Sequence, residues 1–187
     1  MPQLLHAVPK RGPAPLMWYD DDGAERLLRF NIDLLDQAVS LVQAHERASA
    51  PAFGDYAGAH LRHVIEHYEA LLLRPDADVI DYDNRPRDRE LERCAQRARA
   101  RLQRLQQSLR AWPAATLETP IRVSSRIGVA GEIEFETRSS VGRELVFLAS
   151  HAVHHFALLQ VYCREHGLSM GSRFGVAPAT LAHRLQA

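Results

Sequence analysis

Lysine is nearly absent from this chain. Lys10 is the single one, so almost all of the 23 basic residues are arginine. They are matched by 23 acidic residues, which leaves a formal net charge of zero. A chain so balanced lacks the one-sided field that draws proteins to nucleic acid or to an anionic membrane. Cysteine is scarce as well, with only Cys94 and Cys163. They form neither a CxxC pair nor a disulfide framework, and a reduced, cytoplasmic setting is expected. The sequence also shows no run of the roughly 18 apolar residues that a bilayer-spanning helix needs. Its first residues lack the apolar stretch and small-residue cleavage site of a signal peptide. Internal repeats and low-complexity segments are missing too.

What is present is enough apolar material for one core, 46% of 187 residues. That length suits one domain with extensions. Residues 1–20 contain four prolines and little periodicity, and read as an extended arm. Residues 21–187 read as one domain with a C-terminal tail. Leu27, Leu28, Leu34, Leu35, Val39 and Val42 recur at helical spacing and predict a first helix over about 21–46. "ASAPAFGD" breaks it, and a second helix follows over about 56–73. "RPDADVIDYDNRPRD" is expected to be a polar connection. A third helix is predicted over about 87–112, ended by Pro113.

The segment "TPIRVSSRIGVAGEIEFETRSS" differs in kind. Its β-branched residues, its glycines and the alternation in "EIEFET" predict a short hairpin. Ser139 or Ser140 then caps a fourth helix that ends at Gly167. The expected fold class is all-α: a four-helix bundle with a short β-hairpin inserted before the last long helix.

Six of the ten histidines fall in two short segments of this pattern. His60, His63 and His67 share a face of the second helix at about 100° per residue. In "HAVHH" on the fourth helix, His151 and His155 stand one turn apart, while His154 points aside. An i,i+4 imidazole pair can chelate one ion, and a facing helix can supply a third ligand. Three imidazoles with open positions suit a catalytic metal, whereas closed structural zinc sites use four ligands. Two bland readings stand beside this one: core histidines with hydrogen-bond partners, and haem held by two histidines. A di-iron carboxylate site would need ExxH motifs on two helices, and neither histidine helix has one.

"GAHLRHVIEHYEALL" and "SHAVHHFALLQVYCREHG" resemble the two metal-binding helices of the DinB-like superfamily. The likeness spans most of residues 21–167. It implies a four-helix bundle and a triad made of His63, His151 and His155, with His60 and His67 as alternates one turn away. It also implies a divalent ion, Zn²⁺ or Ni²⁺, and thiol-dependent chemistry. The expected function is thus a metal-dependent transferase or hydrolase, with a low-molecular-weight thiol as co-substrate. The alternative is a non-catalytic bundle that uses the metal for stability or for a small ligand. "FALLQ" departs from the arginine–glycine step that many relatives carry after the pair.

Other residues complete the expectation. Glu144, two turns before His151, can orient a ligand histidine or act as a base; the bland reading is a first-turn acid favoured by the helix dipole. Tyr82, Asp83, Arg85 and Arg87 in the polar connection form a candidate substrate loop able to hold an anion through an arginine fork. From Arg85 to Arg110 nine arginines face three acids. They are spread around the helix without aromatic partners, so a solvated face is expected and not a nucleic-acid interface. Cys163 reads as core. The expected partners are a small-molecule substrate and, as an option, a second copy of the chain, with no nucleic acid and no membrane.

Overall fold

The computed structural model describes residues 21–48, 53–73 and 79–186. The arm expected over residues 1–20 lies outside them. Helix α1 spans Asp21–Arg47, α2 Ala57–Leu72, α4 Ala95–Ala111 and α5 Val141–Glu165. Helix α1 packs on α4 and α5, and α2 packs on the same two. Leu35, Leu41, Leu61, Leu102 and Phe156 meet in the shared core with no exposed surface. Each such side chain contributes roughly 1.5–3 kcal/mol through burial.

The all-α expectation is corrected by a sheet. Of the described residues 68% are helical, and they are joined by a mixed three-stranded sheet. Strand β2, Pro120–Ile127, pairs antiparallel with β3, Ile133–Ser140. Strand β1, Val79–Asp81, runs parallel to β2, with Ile80 opposite Val123. It lies inside the segment expected to be a polar connection. Three residues are too short for a period-two signal. What fixes β1 is the partner strand and the burial of Ile80.

The third expected helix is also two. Helix α3, Arg89–Arg93, and α4 meet at Cys94, whose backbone is extended (φ −114°, ψ 104°). Asp88 caps α3 by accepting from the Glu90 and Leu91 N–H groups. A short α6, Pro178–Gln186, closes the described chain.

Ser140 caps α5 by accepting from the Arg143 N–H at 3.2 Å. At the other end the Leu168 N–H bonds to the Cys163 carbonyl at 2.8 Å, across Gly167 at φ +67°. This is a Schellman stop, which needs a left-handed residue at that position. By length and mean hydropathy α5 passes as apolar enough to cross a membrane, although polar residues interrupt its apolar run. Its buried face, from Leu145 to Cys163, instead joins the shared core. Three of the five arginines of α4 form ion pairs, Arg97 with Glu90 on α3 among them. Arg99 pairs with Glu46 at 2.8 Å, and Arg101 pairs with Glu69 and Asp88.

Candidate metal centre

Helices α2 and α5 face each other and bring the two histidine segments together. One ligand nitrogen from each of His63, His151 and His155 lies within 4.8 Å of the other two. No other group of three or more His, Cys, Asp or Glu among the described residues meets in this way. Ring centroids are 5.0 Å apart for His63 and His151, and 4.7 Å apart for His63 and His155 and for His151 and His155. Two metal–nitrogen bonds of about 2.1 Å at a tetrahedral angle set their nitrogens about 3.4 Å apart. The rings would close by up to about 1.4 Å around a shared ion, through χ adjustment of the three side chains. His151 Nε2 is buried and has no hydrogen-bond partner. An orphaned buried nitrogen is costly, and coordination to an ion would satisfy it.

Burial drives the imidazole pKa values down. His63 and His155 fall to about 3, first through desolvation and then through neighbouring imidazoles, with Arg85 adding at His63. His151 is lowered by burial, then by His154 and Arg85. The rings are therefore neutral at neutral pH, the form in which imidazole coordinates a metal.

His60 and His67 lie around this trio. The two Nδ1 atoms of His60 and His155 are 2.8 Å apart, so one donates and the other accepts. If His155 coordinates through Nε2, its Nδ1–H donates to His60, which then fixes the tautomer and the ring plane. His67 donates Nδ1–H to the His63 carbonyl at 2.7 Å and stacks on Tyr82. His154 is exposed.

The loop after β1 is folded onto the site by its own acids. Asp81 accepts from the Asp83 and Asn84 N–H groups, which turns the chain as it leaves the strand. Asp83 accepts from the Arg126 N–H on β2, and Glu66 on α2 accepts from the Asp88 N–H at 2.7 Å. Between these pins Tyr82 lies against His67, and Arg85 Nη2 donates to His63 Nδ1 at 3.3 Å. Asp83 and Arg87 hold the loop instead of facing the histidines, since Arg87 donates to the Asp83 carbonyl.

Glu144 is buried, and its carboxylate accepts from Ser139 Oγ at 2.5 Å and from Arg143 Nη1 at 3.0 Å. It faces Tyr82, whose phenol pKa is raised by burial and by that charge, though the hydroxyl makes no well-formed hydrogen bond. No hydrogen bond among the described residues joins Glu144 to His151. Cys163 is buried, and burial pushes its thiol up to about 11, which removes it as a nucleophile at neutral pH.

Two participants were not visible in the sequence. Glu66 is fully buried and gathers Arg62, Arg85 and the Asp88 N–H. Its only signal was an acid among histidines in "IEHYE". Phe147 stacks on His151 at 5.6 Å and packs against Tyr82. It is one helical turn before His151, so an i,i+4 search from the ligand would have found it.

The low imidazole pKa values give a pH dependence. Unfolded histidine titrates near ~6.5, whereas His63, His67 and His155 titrate at about 3 in the fold. Between these values the unfolded chain binds protons that the folded chain refuses, so stability falls as pH drops through that window. Metal-free protein should have a lower urea midpoint at pH 5 than at pH 7.5, where carboxylates are still mostly ionised. The double change His63→Ala, His155→Ala should flatten the dependence. Equal midpoints for the unchanged protein at both pH values would refute it.

No protein-family model and no solved structure matches the chain. Among curated proteins it is similar to FK506-binding protein 5 of Rhizopus delemar, 36% identical over 105 residues. The match covers 56% of this chain and 27% of that protein, so the chain spans about a quarter of its relative. The DinB-like resemblance is therefore corrected: the relative found carries an FK506-binding name, and the hydrolase or transferase class taken from the resemblance falls with it.

Proposed function

We propose that the chain is a divalent transition-metal protein whose ion is held by His63, His151 and His155. The observation that carries this is the convergence of three neutral imidazoles from α2 and α5, one with a buried and unpartnered nitrogen. Three nitrogen donors without thiolate or carboxylate suit Zn²⁺ or Ni²⁺ and leave positions for another ligand. A bound divalent ion supplies Lewis-acid polarisation of an oxygen or thiol ligand. His60 orients His155, His67 and Phe147 wall the site, and Tyr82 covers it.

The experiment is a pair of thermal melts with and without chelator. An ion bound only by the folded state adds stability by mass action. A chelator should lower the melting temperature at pH 7.5. An unchanged melting temperature at pH 7.5, with metal loss shown by elemental mass spectrometry, would count against the centre. Complete loss of helicity on chelation would favour a purely structural ion.

The likeness to an FK506-binding protein favours a second reading, that the matched part of this chain binds FK506. A saturable, FK506-dependent rise in melting temperature would support it. No rise would leave the metal reading alone.

A further inference from the structure

We infer that Arg85 anchors a carboxylate-binding subsite beside the histidine triad, so that the centre takes a small molecule bearing a carboxylate. The inference deepens the metal reading and rests on it for the ion, though not for the arginine. The Arg85 side chain is only 9% exposed. Its Nε has no hydrogen-bond partner, and its bond to His63 Nδ1 is a long 3.3 Å. A guanidinium carries five N–H donors, and leaving buried donors unmet is costly.

The nearest acid does not meet them. Glu66 stands 4.0 Å from Arg85 Nε, and its oxygens already accept from Arg62 Nη1 at 3.1 Å and from the Asp88 N–H. Glu66 balances the charge of Arg85 without saturating its fork. A carboxylate would fill that fork with two parallel bonds.

Charge selects a monoanion. The charged groups facing Arg85 are Glu66 and Asp83, with Arg62 and Arg87. Arg62 is committed to Glu66 and Glu92, and Arg87 to the Asp83 carbonyl. The cation left to meet an incoming ligand is Arg85, with two acids nearby. That suits a carboxylate and disfavours a phosphate dianion. Tyr82 and Phe147 offer an apolar wall for the rest of the molecule.

The test uses acetate as probe, acetamide as its neutral isostere and inorganic phosphate as the other anion. Histidine ring nitrogens of the labelled full chain are followed by NMR, with and without one equivalent of Zn²⁺. Acetate should shift the His63 signals saturably in the metal-free protein, because it draws Arg85 away from His63 Nδ1. Acetamide should not, and phosphate should bind no tighter than acetate. Arg85→Gln should weaken acetate by at least about tenfold, and Arg85→Lys should fall between. If the chain takes up no zinc but acetate still shifts His63 in the unchanged protein, the metal reading fails and the subsite stands. If zinc binds but acetate and acetamide act alike, the subsite is overturned and the metal centre stands. Acetate binding undiminished in Arg85→Gln, or tighter binding of phosphate, also overturns it. The acetate–acetamide contrast needs only the unchanged protein, so it decides even if a variant fails to fold.

Discussion

Changing His63, His151 and His155 together to alanine should abolish metal uptake. Tag-free protein should carry close to one divalent transition metal per chain by elemental mass spectrometry, and the triple variant none. The single changes should be graded. Loss of any of the three nitrogens that meet within 4.8 Å should cost more than the roughly 10–100-fold typical of an orienting partner. His60→Ala should fall within that smaller range, because His60 reaches the centre only through His155 Nδ1. His67→Ala should also be milder, since His67 is not among the three residues whose ligand nitrogens meet within 4.8 Å. Stoichiometric metal in the triple variant would end the proposal. A larger loss for His60→Ala than for His63→Ala would move the ligand on α2 by one turn.

Gly58→Ala should destabilise the fold by about 3 kcal/mol or more, at the upper end of overpacking costs. A Cβ built at Gly58 would lie 1.7 Å from the Glu92 carbonyl oxygen and 2.8 Å from its carbon. Both are backbone atoms, so no rotamer change relieves the overlap. The Phe53 carbonyl oxygen closes the other side at 3.1 Å. Relief would require α3 to move off α2. That would pull on Asp88, which caps α3 and bonds to Glu66, and so on the loop that carries Arg85. The variant should therefore show a lower urea midpoint and altered His63 ring signals in metal-free protein. An unfolding free energy within about 0.5 kcal/mol of the unchanged protein would show that α2 and α3 are less closely fixed than their backbones indicate.

The two histidine segments were legible because helical spacing is a local property. His151 and His155 share a face at any α-helix of that sequence. The glycine stop at Gly167 and the serine cap at Ser140 are local as well. The strand at Val79–Asp81 was not legible, since its hydrogen bonds come from a strand some forty residues later. The break at Cys94 was hidden inside a run of good helix formers. A non-glycine residue at positive φ, Arg87 at 52°, sits in a loop whose shape depends on Asp83 and Glu66 rather than on its own preference. The family resemblance, carried by the two histidine helices and spanning most of residues 21–167, was overturned by the likeness to an FK506-binding protein.

The sequence by itself determined the four long amphipathic stretches, the hairpin, and which imidazoles could share a face. Each follows from spacings shorter than two helical turns or from turn residues. Tertiary structure alone decided that α2 and α5 face each other, so that a nitrogen of His63 comes within 4.8 Å of those of His151 and His155. It also decided that Arg85 is buried against His63 while Arg87, two residues on, turns back to the loop. The physical reason is that side-chain direction across a helix pair depends on the angle and register of packing. Those are set by the whole core and by the Glu66 contacts, not by any local stretch.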